Sequence, residues 1–124
     1  MESPKISDAE WEVMKVLWAT SCPCTANQVV ENLAESTDWK PNTIKTLINR
    51  LVKKQVVDYK EVGRVYYYYP LLTESQCVKA ESESFLKKVF GGAIKPMLVT
   101  FLTDEKLSQA EIEELKRLLD ERKQ

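Results

Sequence analysis

The 124-residue chain contains no histidine and only three glycines. Without imidazole, neither a Ser-His-Asp nor a Cys-His nucleophilic set can be assembled. A zinc site would have to be made from cysteine and carboxylate alone. Three glycines, at positions 63, 91 and 92, leave no Gly-rich loop to cradle a phosphate. Cys22, Cys24 and Cys77 are an odd number without the spacing of a disulfide framework, which points to reduced thiols and a cytoplasmic setting. No apolar run approaches the ~18 residues of a membrane span. The first residues, Met1-Glu-Ser-Pro-Lys5, lack the apolar stretch of a signal peptide. These absences argue against an enzyme, a cofactor, a metal site and membrane insertion, and leave a chain that works through its surfaces.

One further absence is local. Acids slightly outnumber bases overall, for a net charge of −1, yet no carboxylate lies between Trp39 and Val57. That window carries Lys40, Lys45, Arg50, Lys53 and Lys54. The stretch from 103 to 121 is the reverse, with seven acids against Lys106, Lys116 and Arg117. Positive field is thus concentrated in the N-terminal half. Within the window, Ile44, Leu47, Ile48, Leu51 and Val52 recur at the spacing of one helical face. The other face holds Asn42, Thr43, Lys45, Thr46, Asn49, Arg50, Lys53 and Lys54. A helix that docks by one face and shows Thr, Asn, Lys and Arg on the other suits a DNA major groove. Amides and guanidinium groups read base edges, Thr methyls meet thymine methyls, and lysines neutralise phosphate. Thr43, Lys45, Thr46, Asn49 and Arg50 are the base-edge and groove candidates, while Lys53, Lys54, Lys40 and Arg64 suit phosphates. Thr25 and Asn27, at the start of the preceding helix, can present backbone N–H groups to a phosphate.

The surrounding pattern supplies a scaffold. Ser7-Asp-Ala-Glu10 is a capping box, with Ile6 and Trp11 at the staple positions, opening a helix that should end near Thr20 before Pro23. Thr25-Ala-Asn-Gln28 opens a second helix, and Pro41 sits at a favoured first-turn position of a third, running to about Gln55. Two helices joined by a short loop, the second basic on one face, form a helix-turn-helix. Val56–Glu61 and Val65–Tyr69 are β-branched and aromatic around Gly63-Arg64, a hairpin with a basic tip. The expected fold is therefore mainly α with a small β-hairpin wing: a winged helix-turn-helix DNA-binding domain over 1–72. Of Tyr66 to Tyr69, strand alternation should send two inward and two toward solvent or DNA.

A third capping box, Thr73-Glu-Ser-Gln76, opens a helix to about Phe90, stopped by Gly91-Gly92. An apolar segment from Ile94 to Leu102 follows, and Ser108-Gln-Ala-Glu111 opens a last helix. These three short helices, over 73–124, carry Phe85, Leu86, Val89, Phe90, Ile94, Met97, Leu98, Phe101, Leu102, Ile112, Leu115, Leu118 and Leu119. So small a unit encloses too little of its own apolar surface. A helical dimerisation domain, pairing with the same region of a second copy, is the expected arrangement.

Other residues have quieter readings. Trp11, Trp18 and Trp39 read as core anchors. Cys22 and Cys24, two residues apart, read as small residues beside the hairpin, with a thiol redox response as the alternative. A winged helix that binds protein rather than DNA would need an acidic or apolar recognition face. A metal effector would need more ligands than the chain offers.

Taken together, these stretches resemble the penicillinase repressors of the BlaI/MecI type. The resemblance covers essentially the whole chain. It is carried by Ile6-Ser-Asp-Ala-Glu-Trp-Glu-Val-Met14, by Trp39 through Lys54, by Gly63-Arg64-Val65, by Phe85-Leu86, by Leu98-Val-Thr-Phe-Leu102 and by Leu107 through Leu115. It implies a homodimeric winged helix repressor on a dyad-symmetric operator, controlling β-lactam resistance genes. It also implies release by a membrane sensor-protease that cuts within the dimerisation region. The family's cut separates Asn from Phe, and the aligned pair here is Thr100-Phe101. Two other departures stand out. The residue before the recognition-helix proline is usually Ser in the family and is Lys40 here. No cysteine follows Cys77, unlike the copper-responsive relatives with paired Cys-x-Cys motifs.

Overall fold

The computed structural model describes residues 4–103 and 107–122. Asp104, Glu105 and Lys106 of the acidic stretch, and residues 1–3 of the N-terminal segment, lie outside them. In chain order the elements are α1 (Asp8–Ala19), α2 (Ala26–Leu33), α3 (Pro41–Lys53), β1 (Val57–Val62), β2 (Val65–Pro70), α4 (Glu74–Phe90), α5 (Ile94–Thr103) and α6 (Gln109–Arg122). Helix-helix-helix-hairpin is the winged helix order, as expected.

Each capping box read from the sequence is formed. Ser7, Thr25, Thr73 and Ser108 accept from the backbone three residues on, and Glu10, Gln28, Gln76 and Glu111 reach back to the cap N–H. Reciprocal capping satisfies two otherwise orphaned donors at each helix start. α3 is the exception: Lys40 stands at its N-cap and makes no side-chain cap bond, so only Pro41 pre-sets the first turn.

The N-terminal core is one cluster. Val13, Met14 and Leu17 of α1, Val29 and Leu33 of α2, and Ile44, Leu47, Ile48 and Leu51 of α3 close against one another, with Val56, Val57 and Tyr68 of the hairpin region. β1 and β2 pair antiparallel from Val57 opposite Pro70 to Val62 opposite Val65. Gly63 turns the hairpin at φ +68°, which fits the first central position of a II′ turn. Cys24 adds a one-residue bridge to the sheet: its N–H donates to the Tyr68 carbonyl at 2.9 Å, and the Tyr68 N–H donates back at 2.7 Å. Only Tyr68 of the four consecutive tyrosines is buried; Tyr67 and Tyr69 are half-buried and Tyr66 is exposed. The expected two-in, two-out split fails because the two-stranded hairpin projects beyond the core, so parity selects a face but not its burial.

α3 leaves for β1 through Gln55, which holds φ +63°. Left-handed backbone without glycine costs about 1 kcal/mol. It is held there by hydrogen bonds from the Gln55 and Val56 N–H groups to the carbonyls of Val52 and Leu51, both at 3.0 Å.

The contacts divide into two compact units, with the break between Glu81 and Ser82, inside α4 and beyond the boundary expected after residue 72. The reason is Cys77, which α4 buries in the N-terminal core. In the second unit, α4 ends where Gly92 donates to the Leu86 carbonyl at 3.1 Å. Among the described residues from Ser82 onward none is buried. Phe85, Val89, Ile94, Leu98, Phe101, Leu102, Leu115, Leu118 and Leu119 are exposed, whereas Leu86, Phe90, Met97 and Ile112 are half-buried.

The buried charge of the first unit is Glu10, whose side chain is 2% exposed. Its Oε1 accepts from Lys54 Nζ at 2.5 Å and from the Ser7 N–H at 2.8 Å, while Lys54 also donates to the Lys5 carbonyl at 2.7 Å. Desolvation pushes the carboxyl upward, but hydrogen bonds from Lys54 and Ser7, with the charge of Lys54, outweigh it and hold Glu10 below its ordinary value. A folded-state value below the unfolded one stabilises the protein above the unfolded titration, and that stability is lost as pH falls through the folded one. Lys54→Met strands the buried carboxylate and should cost about 2–4 kcal/mol at pH 7 in urea unfolding. The deficit should narrow as pH falls through the lowered folded-state titration of Glu10, below which the carboxyl is protonated in folded and unfolded states alike. An unchanged deficit at low pH would contradict the charge argument.

Lys40→Ser should supply the missing cap of α3. Stability should rise by about 1 kcal/mol, read as a shift in urea midpoint at constant slope.

Candidate nucleic-acid interface

Burying Ile44, Leu47, Ile48 and Leu51 turns the rest of α3 outward. Asn42, Thr43, Lys45, Thr46, Asn49, Arg50 and Lys53 are all exposed, as is Lys40 at the cap. Thr46 Oγ1 donates to the Asn42 carbonyl at 2.9 Å, which fixes its rotamer. Among the described residues, Lys45, Arg50 and Lys53 are in no ion pair. Their charges are therefore available to an anionic partner.

Lys54 departs from this set. The sequence placed it with the phosphate contacts, but its ammonium is held by Glu10 and Lys5. It lies at the C-terminal end of α3, where a cation also suits the helix dipole. Its work is to tie α3 to α1.

Five candidates that are distant in sequence line one groove. Thr25 and Asn27 from α2, Lys45 and Asn49 from α3, and Arg64 from the hairpin tip surround a hollow of about 430 Å³, floored by Ile48, Val65 and Tyr68. The Cys24–Tyr68 bridge brings this about, since it fastens the chain just before α2 to β2. The Thr25–Gln28 capping box occupies the N–H groups of those two residues. The remaining first-turn dipole faces the groove, so α2, Lys45 and Arg64 all make the hollow attractive to an anion. Lys40, Asn42, Thr43, Thr46, Arg50 and Lys53 lie outside the hollow, on the exposed surface of α3.

Sequence reasoning missed Tyr66, which lines the same groove. Its ring stacks on Tyr59 at 4.6 Å, and both approach Tyr68, at 6.4 and 5.9 Å. The charge of Glu61, directly across the hairpin, and then its hydrogen bond hold the Tyr66 phenol above its ordinary value. Strand parity would have placed Tyr66 with Tyr68; nothing in the sequence said that this face overlooks α2.

The thiols do not form a set. Cys22 is exposed, Cys24 is buried with Sγ 3.2 Å from Thr20 Oγ1, and Cys77 is buried, which pushes its thiol up. Among the described residues no cluster of His, Cys, Asp or Glu could hold a metal ion. Trp18 Nε1 donates to the Leu72 carbonyl at 3.0 Å, and its ring meets Trp11 edge-on at 5.4 Å, consistent with anchoring roles. No helix among the described residues is long and apolar enough to cross a membrane.

Comparison with known proteins agrees with this architecture. The family model described as Penicillinase repressor matches residues 6–121. A penicillinase repressor of Bacillus licheniformis is 42% identical over 120 residues, covering 97% of this chain and 93% of the relative. The methicillin resistance regulatory protein MecI of Staphylococcus aureus (strain N315) is 40% identical over 118 residues, 95% of each chain. Among solved structures, the DNA-binding domain of the repressor BlaI superposes with a TM-score of 0.54 at 43% identity, covering 60% of this chain and 92% of that one. The monomeric form of Bacillus licheniformis BlaI, solved in complex with the blaP half-operator, gives 0.52 at 43% identity, covering 60% and 89%. On a match that runs from Ile6 to Glu121, this chain belongs to the penicillinase repressor family.

Proposed function

We propose that the protein is a DNA-binding transcriptional repressor of β-lactam resistance genes. The observation that carries this reading is the open face of α3 beside the cationic groove, in a chain 43% identical to a repressor domain solved on a half-operator. α3 enters the major groove: Thr43, Lys45, Thr46, Asn49 and Arg50 meet base edges, and Asn42 lies on the same face. Lys40, Lys53, Arg64 and the start of α2, with Thr25 and Asn27, hold phosphates. A family of transcriptional repressors gives no reason to expect catalysis.

The protein acts as a homodimer through α4, α5 and α6. Support comes from the apolar side chains these helices leave exposed in a single chain. Two copies related by a two-fold axis place their α3 helices in successive major grooves, ~34 Å apart or a multiple of it, on an inverted repeat. Repression ends when a membrane sensor-protease cuts the Thr100–Phe101 bond. Both residues lie in α5, and Thr100 Oγ1 donates to the Pro96 carbonyl at 2.9 Å. Proteases take extended substrates, so α5 must open locally before the cut. Cleavage removes α6 with Ile112, Leu115, Leu118 and Leu119, each worth about 1.5–3 kcal/mol where buried. The remaining piece leaves the operator because avidity is lost, with its reading face unchanged.

A duplex selected by the full-length protein from a random pool tests the interface. Arg50→Ala should weaken that duplex by about 1–3 kcal/mol and spare an unrelated one. Lys53→Ala should weaken both alike and flatten the salt slope by about one unit. Unchanged footprints in both variants would remove α3 from the interface.

Sedimentation should find a dimer for the full chain and a monomer for a 1–81 fragment. That fragment should bind a palindromic site about 10²–10⁴ weaker. Equal affinity would refute dimerisation through the C-terminal helices.

Mass spectrometry of the repressor from β-lactam-treated host cells should show fragments ending at Thr100 and beginning at Phe101. Intact repressor under full induction would exclude proteolysis at this bond.

A further inference from the structure

The groove between α2, α3 and the hairpin contains one polar side chain that none of the assignments above uses. Tyr66 is 42% exposed and shares the hollow with Thr25, Asn27, Lys45, Asn49 and Arg64. Its ring is not free to swing. It is stacked on Tyr59 and meets Tyr68 edge-on, and Tyr68 is buried and bonded through its backbone to Cys24. A contact made by such a ring loses little rotamer entropy. Tyr66 is also the aromatic residue nearest in sequence to the turn that carries Arg64.

Glu61 is the anomaly at this edge. It stands directly opposite Tyr66 in the hairpin, a carboxylate beside a hollow whose other charges, Lys45 and Arg64, are positive. Its charge raises the phenol above its ordinary value, and Tyr66, like any phenol at neutral pH, is a hydrogen-bond donor. A phosphate approaching the hollow meets both that donor and the repulsion of the carboxylate.

We propose that Tyr66 is a contact to the sugar–phosphate backbone of DNA, and that Glu61 is its positioning residue and a built-in restraint on binding. This rests on the reading of the groove as a DNA interface. In the free protein the phenol lies under the influence of the Glu61 carboxylate across the strand pair. On the duplex it donates a hydrogen bond to a phosphate oxygen, with no covalent bond broken and no proton transferred. Backbone contacts carry no base information, so the effect is blind to sequence. Glu61 weakens binding to any duplex, which lowers occupancy of random DNA and leaves discrimination to α3.

The test uses the full-length protein, a duplex selected by it from a random pool, and an unrelated duplex of equal length. Tyr66→Phe keeps the ring on Tyr59 and removes only the donor, and thermal melting checks that the fold is intact. It should weaken both duplexes by roughly three- to tenfold, with their ratio unchanged. Glu61→Gln retains an acceptor and removes the charge. It should tighten both duplexes severalfold at low salt, and the gain should shrink as salt rises. Wild-type affinity for both duplexes in Tyr66→Phe overturns the contact, even where Arg50→Ala abolishes preference for the selected duplex. A loss confined to the selected duplex overturns the backbone assignment in favour of base reading. Unchanged affinity in Glu61→Gln overturns the restraint. Failure of the wild-type protein to bind any duplex overturns both this proposal and the reading beneath it.

Discussion

Ile44, Leu47, Ile48 and Leu51 run along one side of α3, none more than 4% exposed. A helix has one rotation about its axis that buries such a stripe, and that rotation dictates what faces outward. The stripe meets α1 and α2, so the polar face is aimed by the core and not by its own residues. Lys54 then fixes the far end, because its ammonium joins Glu10 of α1 to the carbonyl of Lys5. Base reading requires side chains placed to fractions of an ångström. The apolar stripe and the Lys54–Glu10 ion pair fix the orientation of the exposed face of α3 within the folded chain.

Much of this was legible in the residues because helix signals are local. Four capping boxes announced α1, α2, α4 and α6, Pro41 announced α3, and the period of Ile44 to Val52 announced which side is buried. The chemistry of the exposed side followed from what was absent, a carboxylate anywhere in the window. The pairing of Lys54 was not legible because its partner, Glu10, is 44 residues away in sequence, and no local pattern reports a long-range ion pair. Its neighbour Lys53 looks identical in composition and is exposed. The boundary near residue 72 was placed by the end of the hairpin. Cys77 draws the first turns of α4 into the N-terminal core, a tertiary preference invisible to periodicity.

The wing was half legible. Alternation identified the faces of β2 but could not say that Tyr66 overlooks the start of α2. That depends on a single pair of backbone hydrogen bonds between Cys24 and Tyr68. An isolated bridge has almost no sequence signature, since it uses main-chain groups available at nearly every residue. It nevertheless decides that α2, α3 and the hairpin tip border one hollow. The C-terminal helices present the opposite case. Their apolar content was plain, and in the structure Phe85, Val89, Ile94, Leu98, Phe101, Leu102, Leu115, Leu118 and Leu119 are exposed.

Gln55 holds left-handed backbone where α3 passes into β1. A glycine there would sit without strain, but it would also leave the unfolded chain freer and the junction softer. With Gln55, the angle between the reading helix and the hairpin is set by backbone hydrogen bonds at a joint with few alternatives. Docking on a duplex then consumes little ordering entropy at this joint. The heat-capacity change of binding should report surface burial with little coupled folding. The joint between α3 and the hairpin consequently keeps one geometry.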